Sequence, residues 1–298
     1  MKPVIKWAGS KSGLIEELRA NMPSHFNPKT DLFVEGFLGG GSFFFDLEPS
    51  HALLIDGSTE LMNVYKWLKV SPAPVMEELQ RLSVLTYEKD RKEQEAFFYE
   101  LRDMDRDSGY DFLAESTKAA RLLYLMRTCF NGLPRWNLSG YHNTPWGQYK
   151  KPVIYNEELL LQAHQALRSA ELFCGDFLSC GVNLIERKRK VLGLQPRNVF
   201  IYLDPPYQKE VKKDSFTAYG AYQFREKEQR MLAETFRKLD KLGYRVMLSN
   251  SFTPLIKELY APFNQIVVTT TRSIAANGDR PKVNEYLVIN YTVEEKNV

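Results

Sequence analysis

The chain has 298 residues, 44% hydrophobic, 26% charged and 13% aromatic, which suffices for one large core or two smaller ones and excludes a disordered polymer. Its 40 Lys and Arg against 37 Asp and Glu leave a net charge of +3, too mild to signal a polyanionic partner, so any nucleic-acid footprint has to be local. Cys129, Cys174 and Cys180 lack C-x-x-C spacing and the four histidines are scattered, which argues against a disulfide framework and against a zinc site; no metal is expected.

The opening MKPVIKWAGSK lacks the apolar stretch of a signal peptide, and no apolar run nears the roughly 18 residues of a membrane span, so a cytoplasmic location without membrane contact is expected. TDLFVEGF (30–37) reads as a short buried strand opening onto FVEGFLGGGSFFF (33–45), a glycine turn against which a ligand can lie. The turn does not fit G-x-G-x-x-G, because Phe44 stands at the third glycine, and so speaks against a nicotinamide enzyme. It does fit F-x-G-x-G as Phe37, Gly39 and Gly41. HALLID (51–56) is a second strand whose terminal Asp56 can accept hydrogen bonds from ribose hydroxyls; a structural turn with a capping aspartate is the competing reading.

From about 58 to 170 the pattern changes to amphipathic helices: TELMNVYKWLKV, APVMEELQRLSVL, EQEAFFYELRDM and STKAARLLYLMRTCF. They predict an inserted helical module, with a catalytic part at 1–57 and 150–298 and the insert at 58–149. Within it RTCFNGLPRWNLSGYHNTPWGQYKK (127–151) holds four cations and no carboxylate, interleaved with Phe130, Trp136, Tyr141, Trp146 and Tyr149. Such a segment suits phosphates, base edges and stacking; a loop packed on its own aromatics is the alternative. ERKRK (186–190) reads as a solvated surface loop.

NVFIYLD (198–204) ends on Asp204-Pro205-Pro206-Tyr207. In an open α/β sheet, ligands meet the carboxyl ends of strands, and the prolines remove two donors to leave an acceptor-only lip, the Asp204 carboxylate and the Pro205 carbonyl. Two converging acceptors suit an exocyclic amino group, whose nitrogen becomes tetrahedral as it reacts, and Tyr207 offers a face for a base to stack on. A helix over 225–243, strands at 244–250 and 264–272, and an alternating late edge strand at 283–291 complete the series. RSIAANGDRPK (272–282) is polar and basic, suited to phosphate contacts through Arg272, Ser273 and Asn277, or an ordinary hairpin loop. The alternation predicts an α/β fold, a Rossmann-like sheet with an inserted mainly α-helical domain.

These motifs together resemble the Dam type of DNA adenine-N6 methyltransferases, from IKWAGSK near one end to RSIAANG near the other; NGL-x-R-x-N followed by P-W-G-x-Y-K-K-P is similar to the Dam branch in particular. The resemblance implies S-adenosylmethionine as cofactor, double-stranded DNA as partner, GATC as site, and a monomer or weak dimer. It implies that Trp7, Lys11, Phe37, Gly39 and Gly41 flank the cofactor with Asp204, that Asp56 holds its ribose and that Asp176 meets its adenine. Asp204, Pro205, Pro206 and Tyr207 become the catalytic set around a flipped adenine. Lys6 matches a contact to the first guanine and Arg135 a reader of the guanine paired with the last cytosine. Leu133 and Pro145 match contacts to a thymine methyl, Phe130 an aromatic wedge, and Asn131 a partner for the orphaned thymine; Tyr149 is counted on the same DNA side. The chain departs from the family pattern at Gly36, AGSK, IDGS, Pro134, Trp136 and Trp146. A cytosine-N4 enzyme, an amide methyltransferase and a silent DNA-binding protein of the same fold are the rivals. Cytosine-C5 chemistry is excluded because no cysteine follows a proline.

Overall fold

A computed structural model describes residues 1–207, 224–271 and 282–293. The described residues form one seven-stranded sheet: β1 (Leu32–Glu35), β2 (His51–Asp56), β3 (Ala170–Cys174), β4 (Val199–Leu203), β5 (Arg245–Ser251), β6 (Asn264–Thr271) and β7 (Lys282–Ile289). Their order is β3-β2-β1-β4-β5-β7-β6, with parallel pairing from β3 through β5 and β7 antiparallel to both neighbours. The chain moves outward from β1 to β3 and then returns to β4. The topological switch point therefore lies between the carboxyl ends of β1 and β4, where an open α/β sheet binds its ligands.

The apolar runs are buried on both faces. Phe33, Leu54, Phe200, Tyr202 and Met247 point into one cluster with the helices Thr59–Val70, Ala73–Tyr87 and Glu115–Thr128. Val34, Leu53, Ile201, Val246 and Val288 point into the other, against Phe177–Val191 and Glu226–Lys241. This two-sided burial is why the strands read as continuous rather than alternating runs. Among the described residues no helix is long and apolar enough to cross a membrane.

Three expectations need correction. AELFC forms β3, which the sequence reading passed over: it is an edge strand, only half-buried, so its composition is too polar to stand out. ERKRK is not a loop but the end of helix Phe177–Val191, where Lys188 pairs with Glu171 at 3.1 Å and Arg189 with Glu186 at 3.0 Å, and where cations oppose the helix dipole. Finally, 283–291 does not lie at the edge. β7 runs between β5 and β6, and β6 takes the edge.

Candidate active site

The ends of β1, β2 and β4 bring three carboxylates together. Asp56 closes β2 and accepts the backbone N–H groups of Gly39 and Ser58, both at 2.8 Å. Burial pushes its carboxyl up, and those two donors hold it down. Gly39 has φ +48, and a Cβ on it would stand 2.9 Å from Cδ1 of Trp7, so the turn needs glycine both for its backbone and for the approach of the indole. Phe37, two residues earlier, packs between Phe177 and Phe224 with ring centroids 5.6 and 5.7 Å away. Asp176 caps the helix that begins at Phe177 by accepting from Leu178 N–H at 3.1 Å, two residues after Cys174, which the β2–β3 register pairs with Asp56.

Asp204 follows β4 and is mostly buried. Lys11 Nζ lies 2.9 Å from its Oδ1 as an ion pair, and a carboxylate oxygen, with two lone pairs, keeps one acceptor direction beyond it. Burial raises the Asp204 carboxyl to about 6; Lys11 pulls it down and the charge of Glu285 pushes it up. Lys11 also donates to Gly9 carbonyl at 3.0 Å and stands 4.6 Å from the Tyr207 ring centroid. Beyond Asp204, the Pro206 carbonyl accepts from Gln229 Nε2 at 3.1 Å, and Gln229 Oε1 accepts from Asn250 at 2.9 Å. The Tyr207 hydroxyl donates to Glu285 at 2.6 Å.

Glu35, Gln229, Asn250 and Glu285 were not singled out from the sequence. Glu35 had a signal, a carboxylate inside an apolar strand. It accepts from Phe44 N–H at 3.2 Å, and burial, then the nearby charge of Asp204, holds its carboxyl well above the usual range. The other three carry no local signal, because their partners are distant in the chain.

The end of β4 with Asp204, the glycine turn after β1 and the strand-ending Asp56 thus lie at one edge of the sheet. A family model, the D12 class of N6 adenine-specific DNA methyltransferases, matches residues 7–274. The chain belongs to this family. A type II methyltransferase of Lactococcus lactis subsp. cremoris is 34% identical over 294 residues, covering 98% of this chain and 96% of that protein. One of Methanocaldococcus jannaschii is 33% identical over 299 residues, covering 98% and 99%. A DNA adenine methylase of Serratia marcescens is 31% identical over 287 residues, covering 96% and 97%. Membership of the D12 class decides for adenine N6 over cytosine N4 and for an enzyme acting on DNA.

In this D12 methyltransferase the segment 4–11 straps the site to the helical part. Arg127 donates to Val4 carbonyl at 2.8 Å and Lys6 Nζ to Asn131 carbonyl at 2.5 Å, while Trp7 lies on Gly39 and Lys11 on Asp204. Phe130 is half-exposed; Asn131 beside it has φ +59. Arg135 and Pro145 are exposed, Leu133 is buried, and Tyr149 is partly exposed. The segment is a pinched hairpin, with bridges Cys129 to Trp146 and Trp136 to His142. Its aromatics divide between packed and outward-facing positions. Trp136 and Trp146 pack inward, on Trp7 and under Arg91, whereas Phe130, Tyr141 and Tyr149 face outward. His142 is fully buried against Trp136, and burial, then Arg121, lowers its pKa to about 3, which makes it a neutral packing residue. The hairpin is anchored by His142 N–H donating to Asp105 at 2.8 Å, and Asp105 pairs with buried Arg121 at 3.2 Å. Arg272, Ser273 and Asn277 lie outside the described residues.

Proposed function

We propose that the chain methylates N6 of adenine in double-stranded DNA at GATC, with S-adenosylmethionine as donor, by flipping the adenine out of the stack and by direct SN2 transfer. The observation that carries this reading is the buried Asp204 Oδ1 with an unused acceptor direction, next to the Pro205 carbonyl and the Tyr207 ring. An ion-paired carboxylate oxygen has a second lone pair, which the amino group of a ligand can fill.

The residues at the ends of β1 and β2 fit the donor. The Asp56 carboxylate has lone pairs beyond the two backbone bonds it accepts, suited to ribose hydroxyls; the backbone of the turn at Gly39 and Gly41, with Trp7 packed on Gly39, suits its chain, and Phe37 and Asp176 suit its adenine. When bound, S-adenosylmethionine supplies an electrophilic methyl group on a sulfonium sulfur. The chain supplies orientation. Asp204 and the Pro205 carbonyl accept the two amino N–H bonds, which favours the tetrahedral nitrogen of the transition state over the planar ground state, and Tyr207 stacks on the ring. No covalent intermediate with the enzyme is needed.

Segment 58–149 is the target-recognition module in this reading. Lys6 and Arg135 read guanines, the exposed Pro145 meets a thymine methyl with Leu133 packed behind the reading surface, Phe130 wedges into the gap, Asn131 faces the orphaned thymine, and Tyr149 lines the duplex. Arg272, Ser273 and Asn277 contact phosphate. The protein acts as a monomer or weak dimer in the cytoplasm.

The test is transfer of labelled methyl to two duplexes that differ by one GATC, each offered also with its adenines already methylated. Label on the GATC duplex alone, blocked by prior methylation, is expected. Equal label on both duplexes overturns the assigned readers, and no label on either overturns the reaction. Asp204→Ala is expected to abolish turnover and leave duplex binding intact.

A further inference from the structure

Tyr207 belongs to the loop after β4, yet its hydroxyl is held from elsewhere. The antiparallel course of β7 brings Glu285, 78 positions later, to the carboxyl end of the sheet, opposite Ser251 of β5 and Val268 of β6. There the Tyr207 hydroxyl donates to Oε2 of Glu285 at 2.6 Å, within the short range of charge-assisted O–H···O⁻ bonds. Glu285 is only 9% exposed, and a carboxylate buried on a sheet face is costly unless its oxygens are used.

We propose that Glu285 is a positioning residue for methyl transfer, fixing the Tyr207 ring through its hydroxyl and setting the charge felt by the Asp204 lip. The inference rests on the reading above that Tyr207 stacks the target base and Asp204 accepts its amino group. A tyrosine hinged on a loop has to be held at one orientation to stack a base productively. The ring has two restraints: Glu285 at the hydroxyl and the Lys11 ammonium 4.6 Å from its centroid. Glu285 also acts on Asp204 as a like charge.

Among the described residues, the groups that bear on Asp204 are Lys11 from the N-terminal strap, Tyr207 from its own loop, Glu285 from β7, Glu35 from β1 and Tyr202 from β4. Of these, Lys11 favours the carboxylate and Glu285 opposes it. Removing the Glu285 charge while keeping an acceptor therefore makes Asp204 easier to ionise.

The experiment measures kcat, KM for a GATC duplex and the pH dependence of kcat for wild type, Glu285→Gln, Glu285→Ala, Tyr207→Phe and the double variant Tyr207→Phe with Glu285→Ala. Glu285→Gln, which still accepts from Tyr207, is expected to keep most of its rate at pH 8 and to move the acid limb down by about half a pH unit. Glu285→Ala and Tyr207→Phe are each expected to lower kcat about tenfold with KM little changed, and the double variant to be no worse than either single one. A Glu285→Gln limb that stays in place, or losses that multiply in the double variant, overturns the proposal. If Glu285→Ala does not fold, the Glu285→Gln profile still decides. Wild-type protein that transfers no methyl to adenine overturns the reading on which the proposal rests, a failure distinct from its own.

Discussion

Lys11 Nζ lies 2.9 Å from Asp204 Oδ1, joining the N-terminal strap to the end of β4. Since burial alone drives the Asp204 carboxyl upward and Lys11 restrains it at about 6, the ammonium keeps the lip ionised at neutral pH. Protonation removes the negative charge of Asp204 and makes one of its oxygens a donor, which weakens the lip as an acceptor for an amino group, so the rate is expected to fall as pH drops through about 6. Lys11→Met removes the restraint, and the acid limb is expected to rise by about one pH unit, as read from single-turnover rates across pH.

Gln229 joins Asn250 to the Pro206 carbonyl from inside the protein, where it is fully buried. Gln229→Leu leaves that carbonyl and the Asn250 amide without their partner. It is expected to cost about 1–3 kcal/mol in urea unfolding and to lower kcat more than it raises KM, because the loop that carries Tyr207 loses its inner support.

Trp136 Nε1 donates to Glu60 at 2.9 Å, and its ring lies 5.9 Å from that of Trp7. Trp136→Phe keeps the ring contact and removes the donor, at an expected cost of about 1–2 kcal/mol at neutral pH. Burial already raises the Glu60 carboxyl, and loss of the donor raises it further. A carboxyl raised in the folded state binds its proton more tightly there, so the deficit is expected to shrink as pH falls. Denaturant midpoints at two pH values check this.

Gly147 sits where a Cβ would come within 2.6 Å of Cys129 carbonyl and 2.8 Å of Thr128 carbonyl, and neither backbone atom can give way cheaply. Gly147→Ala is expected to open the base of the hairpin, at about 1–3 kcal/mol, and to weaken duplex binding by moving Phe130 and Arg135. Fluorescence titration with a labelled duplex measures the second effect.

The sequence determined the parts that rest on local chemistry. Continuous apolar runs gave the buried strands β1, β2, β4 and β5, and spacing gave F-x-G-x-G, the strand-ending Asp56 and the acceptor lip at Asp204, because each is made by neighbours in the chain. Helix Glu226–Lys241 stops short of Gly243, which takes φ +83 as a helix terminus demands. Edge strand β3 escaped, since a half-buried strand has no apolar run to mark it. Only the tertiary structure decided what lies across the sheet: that Lys11 pairs with Asp204, that Gln229 holds Pro206, and that β7 runs inside the sheet and sets Glu285 against Tyr207. Those contacts join residues 23 to 193 positions apart, and no local pattern encodes them, because a hydrogen bond between distant residues is fixed by strand order and direction rather than by the residues on either side.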